Sequence, residues 1–283
     1  MEHSAKVLPV ARTSGRRQEA HAVRSARVMP WSTPTQNGLL AALPTADYAR
    51  LLPDLEFVQL LQGEVVYERG REQHYLYFPT TCVISKLDVA EDGASTEIAV
   101  TGHEGVVGIF LFLDSGNTPY GASVTSAGSA YRLKASVLRK ECAQGGALQQ
   151  LMLRYTQVQL TQIAQTAVCS RHHTVEQRLC RRLLMTLDRL PGNELDMTHD
   201  LIAILLGSRR EGVTQAALKL QAAGLIHYHR GHITVLDRKK LEERVCECYS
   251  VVKNEYERLL PQDSSILCTS FIRDPGRRFL RPS

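Results

Sequence analysis

Apolar positions along this 283-residue chain change their period twice. From about Glu56 to Leu133 they fall in short runs: EFVQLL, EVVYERG, YLYF, VISKLDVA, TEIAVTG, VVGIFLFL, GASVTSA and AYRL. Turn formers separate the runs, at Gly63, Gly70, Pro79, Asp92-Gly93, Gly102, Gly105, Ser115-Gly116-Asn117 and Gly128. Such spacing predicts short strands closing as a barrel or jelly roll, with a hairpin at Asp92-Gly93. From Ala135 to about Leu190 the apolar step becomes three and four. Leu153, Thr156, Leu160, Ile163 and Ala167 form one stripe, and Leu148, Met152 and Tyr155 a second. A helix apolar on two faces is expected to wedge against the barrel and to pair with its own copy. A further helix over Arg171 to Leu190 carries Val175, Leu179, Leu183 and Leu187 on one face and ends at Pro191-Gly192. A short helix is expected over 38–52. A last helix is expected over 238–260, with Leu241, Val245, Tyr249, Val252 and Tyr256 as its packing stripe. No internal repeat is present.

Between these helices lies THDLIAILLGSRREGVTQAALKLQAAGLI, residues 198–226. With His199 as position one of a bihelical unit, Ala203 takes position five, Gly207 position nine and Val213 position fifteen. The small Ala lets two helices cross closely, and the Gly permits a turn with positive φ. Val213, Ile202, Leu206 and Leu218 are expected inside. A second helix starting at about Arg209 would then show Arg210, Glu211, Thr214 and Gln215 outward. These side chains are able to read base edges in a major groove. After Leu225-Ile226 comes HYHRGHITVL, which predicts a hairpin turning at Arg230-Gly231. Helix-turn-helix plus hairpin is a winged helix, and it makes double-stranded DNA the expected partner.

Charge supports the same partner. The net charge of +5 is unevenly spread. Residues 195–240 hold seven Lys/Arg against four Asp/Glu, whereas the rest of the body between 31 and 261 is acidic. Phosphate contacts require such an asymmetry, and it argues against a wing that contacts only protein. No run of ~18 apolar residues is present, so no membrane span is expected. Arg16-Arg17 has no apolar segment after it, so export is not expected. The seven cysteines lack framework spacing and suggest reduced thiols in a cytoplasm. Cys246-x-Cys248 is the one close pair. On a helix, residues two apart point to different sides, so no metal clamp is expected there. His227 and His229 would share a strand face near His232, but a wing touching the DNA backbone is the preferred account of them. Gly-rich phosphate loops, HExxH, G-x-S-x-G and clustered carboxylates are all missing, so no enzyme is expected.

The order of barrel, long helix and winged helix resembles the Crp/Fnr family of bacterial transcription regulators, over about residues 40–245. In the barrel the likeness rests on Gly63-Glu64-Val65-Val66-Tyr67, Gly70, Tyr75-Leu76-Tyr77-Phe78, Gly102 and Val106-Val107-Gly108. In the DNA half it rests on the Ala203, Gly207, Val213 frame, Arg210-Glu211, Gly224-Leu225-Ile226 and the Arg230-Gly231 wing. The resemblance implies a recognition helix reading bases through Arg210 and Glu211. Gln215 stands where the family has a further Arg. Arg210 would pair with guanine, Glu211 would accept from a cytosine amine, and Gln215 would favour adenine. Arg209, Thr214, Lys219, Thr198 and His199 become candidate phosphate contacts, together with Arg230 on the wing. Thr198 serves equally well as an N-cap.

The resemblance also defines what a cyclic-nucleotide site would need: a Glu after Gly108 and an Arg in the following loop. Ile109 stands at the first place, and no Arg or Lys occurs between Lys86 and Arg132. A buried phosphate without a cation is costly, so another small-molecule effector, or none, is expected. An iron–sulfur cluster of the family's N-terminal kind lacks its cysteines, none preceding Cys82. His74, His103, Cys82 and Cys142 have no haem-like spacing, and Glu104 reads as a solvated turn residue. No cofactor is expected.

The expected architecture is α+β. Residues 1–37 form a disordered tail, with Met29 just before the first predicted element. Residues 38–144 form a jelly-roll sensor domain, 145–170 a dimerisation helix, 171–245 a winged helix-turn-helix, and 246–283 a C-terminal helix and flexible tail. The implied working state is a cytoplasmic homodimer on a two-fold symmetric operator, with RNA polymerase as a further partner.

Overall fold

Alternating strands at the N-terminal end build two antiparallel sheets. The structure is a computed structural model that describes residues 32–91, 93–113 and 116–260. Residues 1–31 of the tail expected at 1–37, with Met29, lie outside the described residues, as do the expected tail at 261–283 and Asp92 of the expected hairpin turn. The strands are β1 (Glu56–Leu60), β2 (Val65–Tyr67), β3 (Tyr75–Pro79), β4 (Val83–Val89), β5 (Ser95–Thr101), β6 (Gly121–Ser126) and β7 (Gly128–Lys134). One sheet has the order β1-β7-β3 and the other β2-β6-β4-β5, the double-sheet arrangement expected of a jelly roll. The run VVGIFLFL does not form a strand. Gly108 takes a φ of 103°, and a 3-10 turn follows at Ile109–Leu111. Val107 keeps a single bridge to Tyr77, and Val106, Ile109 and Leu111 are buried by packing, which periodicity alone does not distinguish from a strand.

Ahead of the barrel, order begins earlier than expected. Asn37 is fully buried, and its amide donates to the carbonyls of Pro79 at 2.9 Å and Gly105 at 2.8 Å. Its side-chain oxygen caps α1 (Gly38–Ala41) by accepting from Leu39 and Leu40. Every polar atom of this Asn is satisfied, which is why the segment from 34 onward is not a tail. The single helix expected over 38–52 is two, because Pro44 disfavours helical backbone before it and α2 (Thr45–Leu51) starts afresh.

Past the barrel come α3 (Ala135–Ala143), the long α4 (Ala147–His172) and α5 (Val175–Leu187). The break between α4 and α5 is a capping box, in which Thr174 and Gln177 satisfy each other's backbone N–H groups. Leu148, Met152, Tyr155 and Val158 of α4 are buried against the barrel, whereas Leu153 and Leu160 are 48% and 63% exposed. The two stripes therefore face different ways, one onto the barrel and the other partly outward.

The C-terminal module contains β8 (Glu194–Asp196), α6 (His199–Leu206), α7 (Arg210–Ala222), β9 (Ile226–His229), β10 (His232–Val235), α8 (Arg238–Arg244) and α9 (Cys248–Leu259). The hairpin gains a third strand that the sequence reading lacks: β8 pairs with β10 on the side away from β9. The last helix is also two helices, since the backbone is extended at Val245. Among the described residues no helix is long and apolar enough to cross a membrane.

One hydrophobic cluster runs from the barrel into the C-terminal module, joining Val83, Leu87 and Val100 to Leu183, Leu187, Leu205 and Leu206. Two buried ion pairs cross the same boundary. Arg182 Nη2 lies 3.1 Å from Glu97 Oε2, and Arg189 Nε lies 2.7 Å from Glu104 Oε1. Glu104 is thus not a solvated turn residue: its side chain is paired and mostly buried.

Candidate nucleic-acid interface

The turn between α6 and α7 is built as its spacing demands. Gly207 has φ 54° and ψ 45°, and Ser208 N–H returns to the Ala203 carbonyl at 3.0 Å. A left-handed residue here lets the chain leave α6 and start α7 at once. A Cβ at Gly207 would also stand 2.5 Å from Thr96 Oγ1 of β5, so the turn abuts the barrel. Inside, α7 buries Val213, Ala216, Ala217 and Leu220, the i, i+3, i+4, i+7 set of one helix face. Leu218, expected inside, falls off that face and is 58% exposed.

The outer face holds most of the candidate contacts. Arg209, Arg210, Glu211, Gln215 and Lys219 are exposed on or just before α7, and Arg230 is exposed on the wing. No side chain caps α7 at Arg209, which leaves its first backbone N–H groups available to an anion. The wing turn has two residues, since His229 and His232 are register partners. Both central residues have positive φ, 47° at Arg230 and 89° at Gly231, the requirement of a type I′ turn.

Three candidates have duties inside the module. Thr198 caps α6, its hydroxyl oxygen accepting from Leu201 N–H at 3.1 Å. Thr214 donates its hydroxyl to the Arg210 carbonyl at 3.0 Å and meets His199 Nδ1 at 3.0 Å. The His199 ring stacks on Tyr228 with centroids 4.0 Å apart, and its Nε2 is buried. Burial, followed by the Arg210 charge, pushes this imidazole below its ordinary range. His199 and Thr214 thus join α6, α7 and the wing instead of facing outward with the arginines.

Two participants have no signature in the sequence. Asp200 Oδ1 lies 3.3 Å from Arg210 Nε, with both side chains more than 60% exposed. Such a pair is weak, so it positions Arg210 without locking it. Asp200 and Arg210 sit in the first turns of crossing helices, and only the crossing brings them together. Tyr228 is the other, held as a stacking platform by the Gln221 side chain, which accepts from its backbone N–H at 2.7 Å.

Residues 177–244 match the family described as a Crp-like helix-turn-helix domain. The chain is similar to the CRP-like cAMP-activated global transcriptional regulator of Mycobacterium tuberculosis, 23% identical over 214 residues, which cover 73% of this chain and 96% of that protein. In fold it is similar to FixK2 from Bradyrhizobium japonicum, with a TM-score of 0.58 at 19% identity over 68% of this chain and 98% of that one. It is also similar to a Crp/Fnr family transcriptional regulator from Eubacterium rectale, with a TM-score of 0.57 at 20% identity over 73% of this chain and 96% of that one. A β domain, a long helix and a winged module give this chain the fold of a Crp/Fnr-type transcription regulator, with a Crp-like helix-turn-helix DNA-binding domain at residues 177–244.

Proposed function

We propose that the chain acts as a cytoplasmic homodimer that reads a two-fold symmetric operator and regulates transcription rather than catalysing a reaction. The observation that carries this is the outer face of α7. Arg209, Arg210, Glu211, Gln215 and Lys219 stand exposed there, beside Arg230 of the wing. In this reading Arg210 pairs with guanine, Glu211 accepts from cytosine and Gln215 pairs with adenine. Arg209, Lys219, Arg230 and the Thr198 hydroxyl contact phosphates. The exposed stripe of Leu153 and Leu160 on α4 supports the dimer, because a second copy would cover it. Residues 38–144 act as sensor, 145–170 as the dimer helix and 171–245 as the reader, with RNA polymerase as the downstream partner.

The sensor's effector is read as something other than a cyclic nucleotide. The M. tuberculosis relative is cAMP-activated by name, but here Ile109 is a buried apolar residue after the Gly108 turn. Of the two cations that bracket this stretch in sequence, Lys86 is 2% exposed and donates to Gln159 Oε1 at 2.6 Å, and Arg132 Nε pairs with Glu56 Oε2 at 2.8 Å. An effector that favours one packing of the barrel on α4 and α5 would move the two recognition helices relative to each other.

Selection from a pool of random duplexes at ~0.15 M salt, with and without a small-molecule extract, tests the reading. The expected result is a palindrome with half-sites about one helical turn, ~34 Å, apart. The affinity is expected to fall steeply with salt. Binding without sequence preference at every salt concentration would overturn it.

A further inference from the structure

Four potential ligands from opposite ends of the C-terminal half converge at one point outside the DNA face. Cys169 sits in the last turn of α4, and His173 follows four residues later on the same side. Cys246 and Cys248 lie at the break between α8 and α9. The expectation that Cys246-x-Cys248 cannot clamp an ion assumed one continuous helix. The extended backbone at Val245 removes that objection. One ligand atom from each of the four residues lies within 4.8 Å of every other. Cys169 Sγ is 3.5 Å from Cys246 Sγ, and Cys248 Sγ is 3.6 Å from His173 Nδ1. All three cysteines are 3% exposed or less.

We propose that Cys169, His173, Cys246 and Cys248 form a structural site for a single tetrahedral zinc ion. Zinc bound to sulfur at about 2.3 Å and nitrogen at about 2.0 Å spaces its ligands at roughly 3.5–3.8 Å, close to the two distances above. Cys3His is a closed set of the kind structural zinc uses. His173 Nε2 lies 3.3 Å from Glu247 Oε1, the outer partner that fixes a metal-bound imidazole. On binding, three thiols lose protons to solvent, and three thiolates on a divalent ion leave one negative charge. Arg181, 8% exposed and close enough for its charge to act on Cys169 and Cys248, offsets that charge. Among the described residues its Nε has no hydrogen-bond partner. A disulfide between Cys169 and Cys246 would leave the Cys248–His173 approach without a purpose. An iron–sulfur cluster would place its cysteines on different irons, farther apart than one tetrahedron edge. The site staples the end of α4 to the α8–α9 corner, across the Thr174 break where the reader joins the dimer helix.

Elemental mass spectrometry of the full-length protein, purified without a metal-binding tag and dialysed against metal-free buffer, tests this without reference to DNA. The expected result is stoichiometric zinc, lost in Cys246→Ser, Cys248→Ser and His173→Ala and kept in Cys142→Ser. Since the variants could fail to fold, wild-type protein stripped of metal and titrated with cobalt(II) provides a second reading. It should develop the visible bands of tetrahedral thiolate-bound cobalt at one equivalent. Wild-type protein without stoichiometric metal and without that spectrum overturns the site. So does stoichiometric iron with acid-labile sulfide, or a Cys169–Cys246 disulfide in freshly isolated protein.

Discussion

Arg230 and Lys86 both stand in places that disfavour their residue type. Arg230 has a left-handed backbone, φ 47°, a conformation costing a side chain with a Cβ about 1 kcal/mol or more. Arg230→Asn keeps the turn with a residue that tolerates it. It is expected to raise stability by up to about 1 kcal/mol in denaturant unfolding while weakening DNA binding uniformly across sequences. Such a trade identifies the Arg as kept for phosphate. Lys86 is a buried ammonium that donates to Gln159, and burial lowers it to about 8. The charged form is therefore penalised in the fold below about pH 8. The penalty fades as pH rises towards the unfolded value of ~10.4, where the unfolded chain also loses its proton. Lys86→Met is expected to stabilise the protein at pH 7 by about 1–3 kcal/mol, and the gain should shrink in melts repeated between pH 8 and 10. The Arg230 turn was legible in the sequence because Arg-Gly between alternating strands marks a two-residue hairpin. Burial of Lys86 was not, because a single Lys in an apolar strand reads equally as an edge charge.

Elements were legible wherever one face decides the outcome, and illegible where both faces are buried or a cap intervenes. The stripe of Leu179, Leu183 and Leu187 on α5 and the Ala203, Gly207, Val213 frame survive in the structure with their spacing intact. The 3-10 turn at Ile109–Leu111 was not legible because the apolar run 106–113 carries no period to read. Residues 238–260 split because extended backbone at Val245 has no strong sequence marker, and that split hid the Cys246–Cys248 corner. Leu218 was misplaced by one helical position, since Leu220 continues the Val213, Ala216, Ala217 face. The exposed Leu153 and Leu160 of α4 carry a prediction at this scale. Leu160→Glu places a charge in the proposed seam, and is expected to shift the protein to monomer in sedimentation while the melting temperature of the monomer changes little. An unchanged dimer would place the seam elsewhere.

At the scale of the whole molecule, the barrel and the reader share one hydrophobic cluster and two buried ion pairs, so a change in either is expected to reach the other. Glu97 is the sensor-side partner of Arg182, and removing it leaves a buried guanidinium unpaired. Glu97→Ala is expected to cost about 3–5 kcal/mol and to change DNA affinity although the residue is far from α7's outer face in sequence and lies on β5. An unaltered affinity in folded variant protein would mean that the boundary transmits nothing. The most direct test of the central claim is duplex selection run in parallel on wild type and Gln215→Arg. If α7 reads bases as proposed, both proteins enrich a palindrome of the same spacing, and one symmetric position changes from adenine to guanine. The same consensus from both proteins would contradict the claim that Gln215 on this helix reads the operator.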